Sequence, residues 1–116
     1  MSSFTKYYKA GDVITVPYFP HEEDKTQGES RWLICLEDLG DEIIAIPLKS
    51  ETTHIKDHPK SFIIEKDSED GKSMKLQNDS LVVPDRAQRI RKLSAFKHGN
   101  CSDELIDRLH GLIEID

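Results

Sequence analysis

Short apolar bursts alternate with polar connections along most of this chain, and the pattern changes only near its end. After Gly11-Asp12, the stretch "VITVPYF" (Val13 to Phe19) alternates roughly and is rich in β-branched and aromatic residues, which predicts a strand. Pro17 inside it predicts an edge or a bulge, because proline has no N–H for the ladder. "PHEEDKTQGES", from Pro20 to Ser30, then reads as a long polar loop of eleven residues. "RWLICLE" and "EIIAIPL" read as a hairpin across "DLGD", where Gly40 can supply a positive φ. A second polar connection, "KSETTHIKDHPK", leads to the strand "SFIIEK". Asp70-Gly71 predicts a turn with a short strand about "SMKL", and Asn78-Asp79 a further turn into "SLVVP". Strands at this spacing, with turn signals between them, predict an antiparallel sheet curled towards a barrel.

The period then changes. Leu105, Ile106, Leu109, Leu112 and Ile113 recur at helical spacing, with Ser102 as N-cap and Asp103 and Glu104 at the positive end of the helix dipole. "DRAQRIRKLSAF" is compatible with a last strand or with a short helical turn. No internal repeat or linker interrupts the sequence. The prediction is one mainly β (α+β) domain over residues 1–116, closed by a C-terminal amphipathic helix.

Composition narrows the classes. With 116 residues the chain is long enough to bury one core. No apolar run approaches the eighteen or so residues of a membrane helix, and "MSSFTKYYKAGD" lacks the apolar core of a secretory signal, so a cytoplasmic location without a membrane is expected. Cys35 and Cys101 lie far apart without Cys/His spacing; free thiols are expected, with no metal site and no cofactor. The net charge of −6 argues against whole-surface attraction to nucleic acid, yet "DRAQRIRK" carries Arg86, Arg89, Arg91 and Lys92 against Asp85 alone. Taken alone, that run reads as a solvated face. Taken alone, Arg31 is a charge opening a strand, Asp85 a turn aspartate after Pro84, and His21 a loop histidine of the type that titrates near neutrality. Trp32, Phe62 and Tyr18 read as core or interface; an exposed aromatic can stack a base, and the pattern does not select one.

The order of these segments resembles the MazF/PemK (Kid-like) toxin endoribonucleases of type II toxin–antitoxin systems. "GDVITVPYFP" is similar to the family's opening strand, and "QGESRWLICLE" to its Q-G-x-R-P-hydrophobic segment, with Arg31 on the family's catalytic arginine. "IPLKSE" falls on V-P-[IL]-T-S and "HPKSFIIEK" on the following strand. "DSLVVPDRAQRIRKLS" is similar to the segment that usually reads S-V-hydrophobic-x-D-Q-hydrophobic-R-T, and "SDELIDRLHGLIEI" to the closing helix. The resemblance implies a small SH3-like/CcdB-like antiparallel barrel that dimerises, cuts single-stranded RNA without a metal and is neutralised by an antitoxin protein. It implies catalytic roles for Arg31, for Asp85 as general base, and for Lys49 or Ser50 in place of the usual threonine. His21, Gln27, Thr52, Arg86, Gln88 and Arg89 are the implied RNA contacts. The chain departs from the pattern at Lys49, at Trp32 in place of proline, and at Gln88 where an arginine is usual. These departures keep a second expectation open: a catalytically weakened member that acts by binding, as a CcdB-like protein-binding toxin or a regulatory RNA-binding module.

Overall fold

A computed structural model describes residues 8–20, 28–50, 52, 56, 59–91 and 96–113. The strands are β1 (Asp12–Pro20), β2 (Gly28–Asp38), β3 (Glu42–Lys49), β4 (Phe62–Ile64), β5 (Ser80–Val82), β6 (Gln88–Arg91) and β7 (Phe96–Asn100). Helix α1 (Glu69–Ser73) follows β4, a one-turn 3-10 helix occupies Pro84–Arg86, and α2 (Asp103–His110) comes last. The sheet is antiparallel in the order β4-β5-β3-β2-β1-β7 and curls into a half-barrel, as the sequence predicts. β3 shares one edge between two partners: Leu48 and Lys49 pair with β5, and Glu42 to Ala45 pair with β6.

The central hairpin explains its own sequence. Val13, Ile34, Ile46, Val82, Met74 and Leu109 belong to one apolar cluster. Ile14, Leu33, Cys35, Ile43 and Ala45 form another with Tyr8. Neighbouring residues of one strand thus enter different clusters, so both sheet faces are covered. Strands covered on both faces read as near-continuous apolar runs rather than strict alternation. Each fully buried Leu or Ile here contributes about 1.5–3 kcal/mol. The hairpin itself turns at Gly40, with φ +106°, whose N–H donates to Asp38 Oδ1 at 2.9 Å.

Three expectations change. β1 and β2 pair as far as Pro20 opposite Gly28, so the polar connection is shorter than Pro20 to Ser30, and Arg31 lies within β2, opposite Val16. Backbone pairing outlasts the apolar pattern there because residues beyond the core have no burial requirement. The register shifts between Val16 and Phe19, which places Pro17 in the irregularity its missing N–H favours. The expected short strand about Ser73 to Leu76 is replaced by α1 and its C-terminal turn. Ser68 Oγ accepts from the Gly71 N–H at 3.0 Å, and Glu69 and Asp70 suit the first turn, so a local cap outweighs two apolar residues at strand spacing. β7 was not separated by the sequence pattern and forms by pairing with Asp12 to Thr15 of β1. The ambiguous segment from Asp85 holds both a helical turn and strand β6.

α1 links the two ends of the sheet. Ser73 Oγ donates to Asn100 Oδ1 at 3.0 Å, and a Cβ at Gly99 of β7 would lie 2.4 Å from the Ser73 carbonyl oxygen. Gly11, at φ +98°, is a second junction: its N–H donates to Cys35 O at 2.7 Å and its carbonyl accepts from the Cys101 N–H at 2.8 Å. α2 begins where Ser102 Oγ accepts from the Leu105 N–H at 3.2 Å, and it buries Leu105, Ile106 and Leu109. No helix among the described residues is long and apolar enough to cross a membrane.

Candidate nucleic-acid site

An open cavity of about 340 Å³ lies at one end of the sheet. Arg31 and Trp32 border it from β2, Leu48 and Ser50 from the end of β3, Leu76, Gln77 and Asn78 from the α1–β5 connection, and Ser80 from β5. The register explains this convergence. Trp32 pairs with Leu48, Leu48 with Val82, and Val82 with Phe62, so one cross-strand row runs over four strands on the inner face. Ser50 and Ser80 follow two residues from Leu48 and Val82, on the same face by strand alternation.

Arg31 and Ser50, two of the predicted catalytic residues, both border this cavity. Arg31 is half-buried with its Nε atom buried, while Ser50 is exposed. Lys49 is half-buried and pairs with Leu81. The β2–β3 pairing ends at Trp32 opposite Leu48, one residue short of Arg31 and of Lys49. Alternation puts Lys49 and Ser50 on different faces, and Lys49 does not line the cavity.

Asp85, Arg86, Gln88 and Arg89 do not line it either. Asp85 is exposed on the one-turn helix, which docks where the Val83 N–H donates to Pro47 O at 3.1 Å. Gln88 lies opposite Ala45 and Arg89 opposite Ile44. Ala45 is three residues along β3 from Leu48, about 10 Å at strand rise. The basic run thus shares β3 with the cavity and extends away from it. Thr52 is half-buried; His21 and Gln27 lie outside the described residues.

Sequence reasoning missed the other half of the site. Trp32 stacks on His98, with ring centroids 4.3 Å apart and planes 6° from parallel. His98 Nε2 in turn shares a hydrogen bond with Thr15 Oγ1. His98 has no informative spacing in sequence, and only the β1–β7 pairing brings it near β2. Asn78 showed only as a turn residue, and Gln77 was not singled out at all.

The thiols offer no nucleophile. Cys35 is buried, and burial together with the Asp70 carboxylate pushes the Cys101 thiol from 9.0 up to about 12. Among the described residues, no three His, Cys, Asp or Glu side chains gather as a metal site. The class defined is a small curled β domain with an arginine-bordered, aromatic-walled cavity among its described residues. No protein-family model matches the chain, and no curated protein matches it.

Proposed function

We propose that the chain is a metal-independent endoribonuclease of the MazF/PemK type, the toxin of a type II toxin–antitoxin pair, cutting single-stranded RNA in the cytoplasm as a homodimer. The observation that carries this reading is that Arg31 and Ser50 both border a cavity whose volume suits one nucleotide. In the proposed reaction the ribose 2′-OH attacks the adjacent phosphorus, its proton passing to a base. The P–O5′ bond breaks, the 5′-oxygen takes a proton, and the products are a 2′,3′-cyclic phosphate and a 5′-OH end. Arg31 supports the phosphorane, since a guanidinium fork can hold two phosphate oxygens. The Ser50 hydroxyl, rather than Lys49 on the other strand face, donates to a phosphate oxygen in place of the usual threonine. The base is assigned to Asp85, and its exposed position makes Asp85→Asn the variant that tests that role. The proposed inhibitor is a cognate antitoxin covering the RNA site.

One observation favours the binding alternative: none of the described residues lining the cavity is a carboxylate or an imidazole. Under that reading the chain holds RNA or a protein partner without cutting. Incubating the purified protein with single-stranded RNA and mapping 5′-OH ends separates the two. New 5′-OH ends support the nuclease; bound but intact RNA leaves the binding module.

A further inference from the structure

Trp32 stands as a wall between two groups of residues. His98 reaches it from the β7 side, held by Thr15, and the cavity residues Leu48, Ser50 and Ser80 lie on the β3–β5 side. A half-buried indole fixed by a near-parallel ring on one side is already oriented, so a second planar ring can stack without the cost of ordering it. The opposite part of the cavity is polar. Ser80 Oγ donates to the Asn78 carbonyl at 2.9 Å and holds the turn that carries Gln77 and Asn78, both exposed. Amide side chains offer a donor and an acceptor together, the pair that reads a base edge.

We propose that this cavity is a slot for one unstacked base of single-stranded RNA, with Trp32 as the stacking platform, Gln77 and Asn78 as readers of the base edge, and His98 as the residue that positions the indole. The proposal rests on the nuclease reading above for its ligand class, and it makes Trp32, Gln77 and Asn78 the determinants of which base is taken. Leu48 and Leu76 supply the apolar contact, and Arg31 at the rim takes the adjoining phosphate. Duplex RNA is excluded, because its bases are already stacked and paired.

Trp32 is the only tryptophan, so its emission reports on this slot alone. The test titrates the full chain with dye-labelled 2′-O-methyl oligonucleotides of A, C, G or U, which lack the attacking hydroxyl, and follows label anisotropy and Trp32 emission together. Expected are quenching of Trp32 in step with binding, unequal affinities for the four oligonucleotides, and a duplex that leaves the emission unchanged. Trp32→Leu weakens binding by about 5- to 150-fold, the span that base–aromatic stacking shows on substitution. His98→Ala weakens it less and shifts the emission of the free protein. Gln77→Ala, at an exposed position, alters the ranking of the four oligonucleotides, and it carries the test if Trp32→Leu does not fold. Binding with Trp32 emission unaltered, or no binding at all, overturns the slot. Cleavage of unmodified RNA is scored separately: a quenched Trp32 with no 5′-OH products keeps the slot and removes the nuclease.

Discussion

Replacing Gly71 by alanine sets two effects of opposite sign against each other. Helix propensity alone favours the change, since alanine in a helix interior is about 1 kcal/mol better than glycine. Gly71 is in α1, and by that reasoning Gly71→Ala stabilises. The surroundings reverse the sign. A Cβ at Gly71 would lie 2.1 Å from Glu65 O and 2.7 Å from both the carbonyl carbon and oxygen of Lys66, all backbone atoms that no rotamer change can move. Forcing extra volume into such a site costs about 1–3 kcal/mol, and a backbone clash belongs at the upper end. Subtracting the propensity gain leaves a net loss of about 2 kcal/mol. Gly111 is the control: it ends α2 at φ −74°, and a Cβ there meets nothing nearer than Arg108 O at 3.5 Å. Gly111→Ala is expected to be neutral or to gain about 0.5 kcal/mol through the unfolded chain. Urea unfolding followed by Trp32 emission and far-UV dichroism reads both. A Gly71→Ala protein as stable as wild type, with the same urea slope, refutes the close packing of α1 on the β4 end.

Other perturbations follow from the same geometry. Ser102→Ala removes the cap on the Leu105 N–H and is expected to cost about 1 kcal/mol in urea unfolding, and Ser102→Asp should not restore it fully, because the Ser102 hydroxyl also donates to the Asp70 carboxylate. Cys101 gives a pH dependence whose sign is fixed by its raised value: the fold favours the neutral thiol, so the stabilisation is complete below pH 9.0 and is lost as the pH rises towards about 12. Cys101→Ser should flatten that alkaline decline, and in the native wild type Cys101 should react with a thiol reagent at pH 8 far more slowly than in the urea-unfolded chain. Asp85→Asn should leave RNA binding within about twofold while slowing cleavage about 100-fold or more, the effect of losing a general base; unchanged cleavage would remove Asp85 from the reaction.

The sheet and its closing helix were legible because they rest on local signals: period-2 runs, Gly40 at a turn, and Ser102 before an amphipathic stretch. What was missed depends on distant contacts. "FKHGN" has no strand pattern of its own and becomes β7 only because β1 offers an edge and Gly99 lets α1 approach. "SMKL" imitates a strand because Met74 and Leu76 are two apart, whereas Ser68 starts a helix five residues earlier. The candidate site divides in the same way. Arg31 and Ser50 were singled out by the family resemblance, since taken alone they read as a strand-opening charge and a loop residue, and His98 meets the Gln77–Ser80 segment only after the sheet curls. Lys49 and Ser50, neighbours in sequence, are separated by the pleat, and the basic run after Pro84 follows β3 away from the cavity.

The most direct measurement of the central proposal is the chemistry of RNA ends left by wild type and by Arg31→Ala. Under conditions where label anisotropy shows both proteins bound to single-stranded RNA, wild type should produce 5′-OH and 2′,3′-cyclic phosphate ends in the presence of a metal chelator. Arg31→Ala, folded by dichroism, should do so at least about 100-fold more slowly, the effect of removing one preorganised donor to a developing anion. RNA bound and left intact by wild type, or cut equally well by both proteins, would contradict it.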